Sequence, residues 1–330
     1  MIDFASLPKT ELHLHLDCSL SYDVVQQLDP SVTRAEFDQD FIAPAKCTNL
    51  ADFLSRTPKG IALMQDERGL QMVVDDMFRQ LQADNVIYAE IRFAPLLHLD
   101  KGLTSAQVVE LVEQATRQAI ENTGIEARLI LCTLRHYTSD QSLETVRLVE
   151  QFQGTTVAAF DLAGDEAGYP ITEHQAAFNY AIDNHLPRTS HAGEAAGAAS
   201  VWETLEHFKP SRIGHGVRSI EDPALMEHLR DHNICLEVCP SCNIQIDVFD
   251  VYENHPVDQL YEANIPLSIS SDNRTITPIT LTQEYEKLAD TFGWQTDHFF
   301  RTNQNAINAG FIPDDVKQRL LAQLAAGYGQ

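Results

Sequence analysis

Two histidines, His13 and His15, alternate with Leu12, Leu14 and Leu16 in the stretch from Glu11 to Asp17. On a β-strand, residues i and i+2 point to the same side, so both imidazoles project together while the leucines bury on the other face. Two neutral imidazoles converging from one strand make half of a transition-metal site, most naturally for zinc. A strand with two polar residues facing solvent would read the same way, so the pair alone decides nothing. Further residues of the right chemistry decide it. His191 with Glu194, His215 between Gly214 and Gly216, and Asp272 followed by Asn273 each fall where an apolar, strand-like run gives out. A lone strand-end histidine is structural more often than not. Four strands ending this way, in this order, form a constellation.

Such residues need a scaffold that gathers strand ends. Apolar or β-branched runs recur at 11–17, 85–95, 126–135, 157–163, 188–193, 212–216, 233–240 and 265–271. Amphipathic helical stretches separate them. One runs from Thr104 to Asn122 with Val108, Val109, Leu111, Val112, Ala115 and Ala119 on roughly one face. Another opens at Asp222 and Pro223, a proline at a helix start. Eight strands alternating with helices predict an α/β fold, a closed parallel (β/α)8 TIM barrel, with residues 1–330 as a single domain. The C-terminal ends of barrel strands share one rim, which is where His13, His15, His191, Glu194, His215 and Asp272 would meet. Residues 18–84 are far too many for an ordinary βα loop and predict a helical insertion over the barrel mouth. Within it Leu50, Phe53 and Leu54 share a helical face that could cover a flat apolar ligand. Tyr88, Glu90 and Arg92 alternate on one strand face, and Glu90 with Arg92 is read as an ion pair inside the barrel.

Composition narrows the partners. Hydrophobic content of 44% with 22% charged residues is ordinary for a globular enzyme. A formal net charge of −25 repels DNA, RNA and anionic membranes, leaving a small molecule as the expected partner. No membrane span or basic leader is visible, and the cytoplasm is the expected compartment. Six cysteines are too few for a disulfide framework and are read as reduced thiols. Cys239 and Cys242 form a single C-x-x-C pair, where a zinc ribbon needs two, and are read as metal-free. His98, His136, His185, His232 and His255 lack partners in the sequence and are read as structural.

The motif series as a whole resembles the adenosine deaminase family of metal-dependent amidohydrolases. Its members are His13-Leu14-His15-Leu16-Asp17, Ala163-Gly164-Asp165-Glu166, His191-Ala192-Gly193-Glu194, Gly214-His215-Gly216 and Ser271-Asp272-Asn273. The resemblance implies that His13, His15, His191 and Asp272 bind one zinc ion per chain and that Glu194 and His215 are catalytic. It places His15, Asp17, Gly164 and Asn273 at the substrate. Three histidines and a carboxylate leave Zn²⁺ room for a water made acidic by the metal. His215 can orient that water and take its proton for attack on C6 of a 6-aminopurine. Glu194, if burial keeps it protonated, supplies the proton that N1 must gain. Gly164 lets its backbone N–H approach the purine. Asp17 can bind a ribose hydroxyl or steady a neighbouring histidine.

The implied reaction is hydrolytic deamination of adenosine, and of 2′-deoxyadenosine, to the 6-oxo nucleoside and ammonia. The alternative substrate is another 6-aminopurine: adenine, an N6-substituted adenine, or a 5′-modified adenosine such as aminodeoxyfutalosine. Three departures from the family pattern bear on that choice. Cys18 stands where glycine is usual, Asn273-Arg274 replaces the common Asp-Pro, and Thr57 replaces a larger apolar residue. Asn273 is expected to face N7 of the purine, and Arg274 near the mouth could greet a carboxylate or phosphate.

Overall fold

The computed structural model describes residues 2–330. Eight parallel strands form its centre: β1 (Lys9–His15), β2 (Val86–Phe93), β3 (Glu126–Leu134), β4 (Val157–Ala163), β5 (His191–Ala192), β6 (Arg212–His215), β7 (Cys235–Val238) and β8 (Leu267–Ile269). Strands β1 to β4 pair in order, as do β5 to β8. Bridges between Phe160 and Arg188 and between Leu14 and Asp272 stitch the two sets at both seams. At the second seam the His15 N–H donates to the Asp272 carbonyl at 2.7 Å, and the Asp272 N–H to the His13 carbonyl at 3.0 Å. The sheet thus closes into the expected (β/α)8 barrel. β5 is shorter than the run 188–193, because Arg188 meets β4 through a single bridge and Gly193 turns away at φ +68°.

The helices follow their local signals. Ser105–Thr123 opens on a capping box between Thr104 and Gln107 and stops at Gly124, whose φ of +73° ends the helix without steric cost. Pro223–Asp231 starts where the Asp222 side chain accepts the Ala224 N–H. Between β1 and β2 the chain makes a short 3-10 turn and five helices. The last, Glu67–Ala83, buries Leu70, Val73, Val74, Met77, Phe78 and Leu81 against the barrel as a regular crossover helix would. The helix Leu50–Leu54 instead packs Leu50 and Phe53 against Cys239, Cys242 and Ile276, beside the β7 and β8 loops. Among the described residues no helix is long and apolar enough to cross a membrane.

The barrel interior below the rim is charged. Glu90 and Arg92 do not pair with each other. Arg92 reaches across to Asp161 (2.9 Å), Glu237 (2.6 Å) and the Leu12 carbonyl (2.8 Å). Glu90 accepts from Arg212, the Tyr88 hydroxyl and the Phe311 N–H. Residues i and i+2 stand side by side on one strand, so long side chains find partners on facing strands more readily than along their own. Burial alone would raise the Asp161 and Glu237 carboxyls. Charged neighbours win: His191 and Arg92 hold Asp161 below the usual carboxylate range, and Arg92 and Arg212 do the same for Glu237.

Candidate active site

The charged interior supports the residues above it. Glu237 accepts from Nδ1 of His13 at 2.9 Å, and Asp161 lies 3.1 Å from Nδ1 of His191. When those rings are neutral their protons sit on the outer nitrogens, and the inner Nε2 lone pairs point into the rim. There His15 Nε2 faces His191 Nε2 at 3.2 Å, and Asp272 Oδ1 lies 3.5 Å from Nε2 of both His13 and His15. His13 Nε2 is buried with no hydrogen-bond partner. Burial, reinforced by neighbouring cations, pushes His13 and His15 well below the ordinary histidine range, so neither charges readily. Converging lone pairs, a buried carboxylate and an orphaned nitrogen fit a divalent cation. The donor set agrees, since His13, His15 and Asp272 form one close group and His13, His191 and His215 another.

Backbone conformation aims two of these groups. His215 ends β6 at φ +59° and Asp272 follows β8 at φ +67°, a region that non-glycine residues enter at a cost and that clusters at functional sites. Gly164, at the end of β4, has φ +101°, which only glycine adopts freely.

Glu194 is buried 3.3 Å from His215 Nε2. Burial, then the charges of Asp272 and Glu166, push its carboxyl well above the usual range. Its loop is held by Glu166, whose carboxylate accepts the N–H groups of Gly193 (2.7 Å), Glu194 (3.0 Å) and Ala196 (2.8 Å) and the Ser200 hydroxyl (2.6 Å). Glu166 lies within a motif read from sequence, but nothing local marked it as an anchor for residues almost thirty positions on.

His15, Gly164, His191, Glu194, His215, Asp272 and Asn273 line one cleft, roofed by Leu50, Phe53 and Leu54 and bordered by Cys18. It leaves about 50 Å³, room for a few waters and not for a purine. An adjoining chamber of about 550 Å³ shares Leu50 and Glu194 with it. The Asn273 Oδ1 accepts the Thr277 N–H at 2.7 Å; burial raises the adjacent Asp272 carboxyl, and the Asn273 side chain opposes part of that shift. Asp17 lies apart from the cleft, beside Thr57 in a smaller cavity. One of its oxygens is 3.2 Å from His98 Nε2 and the other accepts the Ala94 N–H at 3.0 Å. Its histidine partner is His98, which is not among the proposed ligands.

Arg274 does not reach the mouth. It is buried between Glu11 (2.7 Å) and Asp84 (3.0 Å), pinning the loop after β8 to the base of β1. All six cysteines are free. Cys242 lies close to Glu194 and Asp272, and its thiol opposes the rise that burial imposes on the Asp272 carboxyl. His255 touches Asn243, directly behind His215 and Glu194. Sequence spacing gave no sign of this, because the contact forms only after the helix Pro240–Gln245 has turned the chain back.

The sequence profile of the family described as adenosine deaminase matches residues 8–327. The adenosine deaminase of Clostridium perfringens strain 13 is 33% identical, over 97% of this chain and 98% of its own. That of Streptococcus mutans serotype c is also 33% identical, over 98% and 95%. Among solved structures, the adenine deaminase of Arthrobacter aurescens superposes with a TM-score of 0.90 at 24% identity, covering 98% of this chain and 100% of that one. The Arabidopsis N6-mAMP deaminase gives 0.88 at 26%, covering 98% and 99%. A barrel rim carrying this donor set and a sequence match over nearly its whole length place the chain in the adenosine deaminase family.

Proposed function

We propose that the protein deaminates adenosine and 2′-deoxyadenosine hydrolytically, with one zinc ion per chain held by His13, His15, His191 and Asp272. The observation that carries the reading is the convergence of these four side chains on one rim, with Glu194 buried beside them and its carboxyl pushed well above the usual range. When bound, the metal acidifies a water and so supplies a nucleophile at neutral pH. His15, Gly164 and Asn273 position the purine, and Leu50, Phe53 and Leu54 close over it and exclude solvent. The cleft as it stands is too small for a purine, so Leu50, Phe53 and Leu54 must shift for one to enter.

In the reaction the water oxygen adds to C6 while the Glu194 proton passes to N1. The amino group takes one proton of the water and departs as ammonia. The second water proton returns Glu194 to its acid form, leaving a 6-oxo purine protonated at N1.

A nucleotide substrate is less well served than a nucleoside. No lysine or arginine lines the cleft. The adjoining chamber brings Asp165, Glu221 and Asp247 against one Arg218, whose guanidinium is spent on Glu221 (2.6 Å) and the Ala195 carbonyl (3.0 Å). Arg274, the cation expected to greet a phosphate, is neutralised in the interior. The test is ammonia release by purified, zinc-loaded protein from adenine, adenosine, 2′-deoxyadenosine, N6-methyladenosine and AMP. Adenosine and its 2′-deoxy form are expected to lead; AMP or adenine turned over fastest would overturn the assignment.

A further inference from the structure

Behind the two residues proposed for catalysis runs a line of hydrogen bonds whose direction is fixed at its far end. The Val257 backbone N–H lies 3.1 Å from Nδ1 of His255. A backbone N–H can only donate, so this nitrogen accepts and carries no proton. The ring is buried, so its proton is on Nε2, which lies 3.2 Å from Asn243 Oδ1. With the Asn243 oxygen thus engaged, its Nδ2 group is the side turned towards His215 Nδ1 (3.2 Å) and Glu194 Oε1 (3.5 Å). An amide orientation that would otherwise be ambiguous is set by a main-chain group fourteen residues away.

We propose that Asn243 and His255 are positioning residues that dictate which nitrogen of His215 and which oxygen of Glu194 carry protons. Because Asn243 donates to it, His215 Nδ1 is an acceptor, and the neutral ring bears its hydrogen on Nε2. That N–H points towards Glu194 Oε1 at 3.3 Å. Oε1 therefore receives two donors, and the acid proton of Glu194 is confined to Oε2, free to be given to the substrate. With Nδ1 engaged by Asn243 and Nε2 protonated, His215 has no free lone pair with which to act as base to the attacking water, unlike the role expected from sequence. This inference rests on the deaminase reading, and it goes beyond it by assigning a tautomer and two further residues.

Two substitutions separate the chain of donors from simple packing. His255→Gln keeps a donor where Nε2 was and loses the acceptor for Val257. His255→Asn keeps an acceptor near Nδ1 and loses the donor to Asn243. Each removes one buried hydrogen bond, so a packing role moves both alike. The inference expects His255→Asn to lower kcat about tenfold or more, with KM little changed, and His255→Gln to recover most of that loss. Asn243→Asp, which replaces the donor by a second acceptor at constant volume, is expected to cost about as much as Asn243→Ala, near the ~10²-fold of a misplaced acid-base group. Equal kcat for the two His255 variants, or an Asn243→Asp enzyme close to wild type, overturns the inference. Wild-type ammonia release from adenosine, measured first, tests the deaminase reading separately. A readout independent of turnover is the ¹⁵N spectrum of histidine-labelled holoprotein, with His215 assigned by its loss in His215→Gln. An unprotonated Nδ1 is expected there, and a protonated Nδ1 overturns the inference whatever the activity.

Discussion

His15 Nε2 and His191 Nε2 face each other at 3.2 Å across the barrel rim. His191 is turned inward by Asp161, as His13 is by Glu237, and both carboxylates are gripped by the same Arg92. Arg92 is thus a common brace for two proposed ligands on different strands. Its charge offsets carboxylates that make each imidazole a better electron donor.

The first expected outcome concerns the metal. Purified protein is expected to hold one zinc per chain by elemental analysis, and His13→Ala to lose metal and ammonia release together. An ion that binds only the folded chain stabilises it, so added zinc should also raise the melting temperature of the chelated wild type by mass action. Full activity in a rigorously metal-free preparation would defeat the assignment.

Glu194→Gln is expected to keep its zinc while lowering kcat by well over the ~10²-fold usual for a general acid-base group. Burial pushes the native carboxyl well above its usual range, which favours the acid form, and an amide of nearly equal size has no such proton to give. KM should change far less than kcat, since the lost interaction belongs to the transition state. Near-normal kcat would mean that N1 is protonated from elsewhere.

The sites at strand ends were legible because local pattern and barrel geometry agree. Once His13, His15, His191, His215 and Asp272 each close an apolar run, a closed parallel barrel leaves them no place but one rim. What stayed hidden depends on contacts between distant segments. Glu90 and Arg92 look like a pair along one strand, yet each finds its charge on a facing strand. Arg274 looked available to a ligand because Asn273 beside it lines the cleft, but Glu11 and Asp84, far away in sequence, claim it. Glu166 and His255 act through partners 27 and 12 residues away, distances at which no periodicity carries a signal.

Asn273 offers a test by substrate as well as by mutation. Its Oδ1 is committed to the Thr277 N–H, which leaves the Nδ2 group as the part able to donate to N7 of a purine. Asn273→Ala is expected to cost roughly 1–3 kcal/mol in kcat/KM for adenosine, the effect of leaving a buried acceptor unpaired. 7-Deazaadenosine lacks that acceptor and should lose most of the sensitivity. If both substrates suffer equally, Asn273 acts by holding Asp272, whose burial-raised carboxyl it already helps to lower.

His255 also gives acid stability a traceable component. In the unfolded chain a histidine titrates near ~6.5. In the folded protein burial pushes His255 down to about 3, while Nδ1 accepts from Val257 and Nε2 donates to Asn243. The rings of Phe249 and Tyr252 pack against it, and no carboxylate is recorded among its hydrogen-bond partners to favour the charged form. Between those two values the unfolded chain binds a proton that the native protein does not, so stability rises with pH across the window. The contribution is complete above the unfolded value and is lost as pH falls from ~6.5 towards the folded one, at about 1.4 kcal/mol per unit. Over the span from ~6.5 to ~4.5 that is roughly 2–3 kcal/mol. Urea unfolding of wild type and His255→Gln at several pH values in this span isolates the component, because every other titrating group is common to both. Wild type is expected to lose more stability on acidification than the variant by about that amount. Equal losses would mean that His255 takes up its proton in the native state, with Nδ1 no longer accepting from Val257 and the direction of the Asn243 hydrogen bonds no longer fixed.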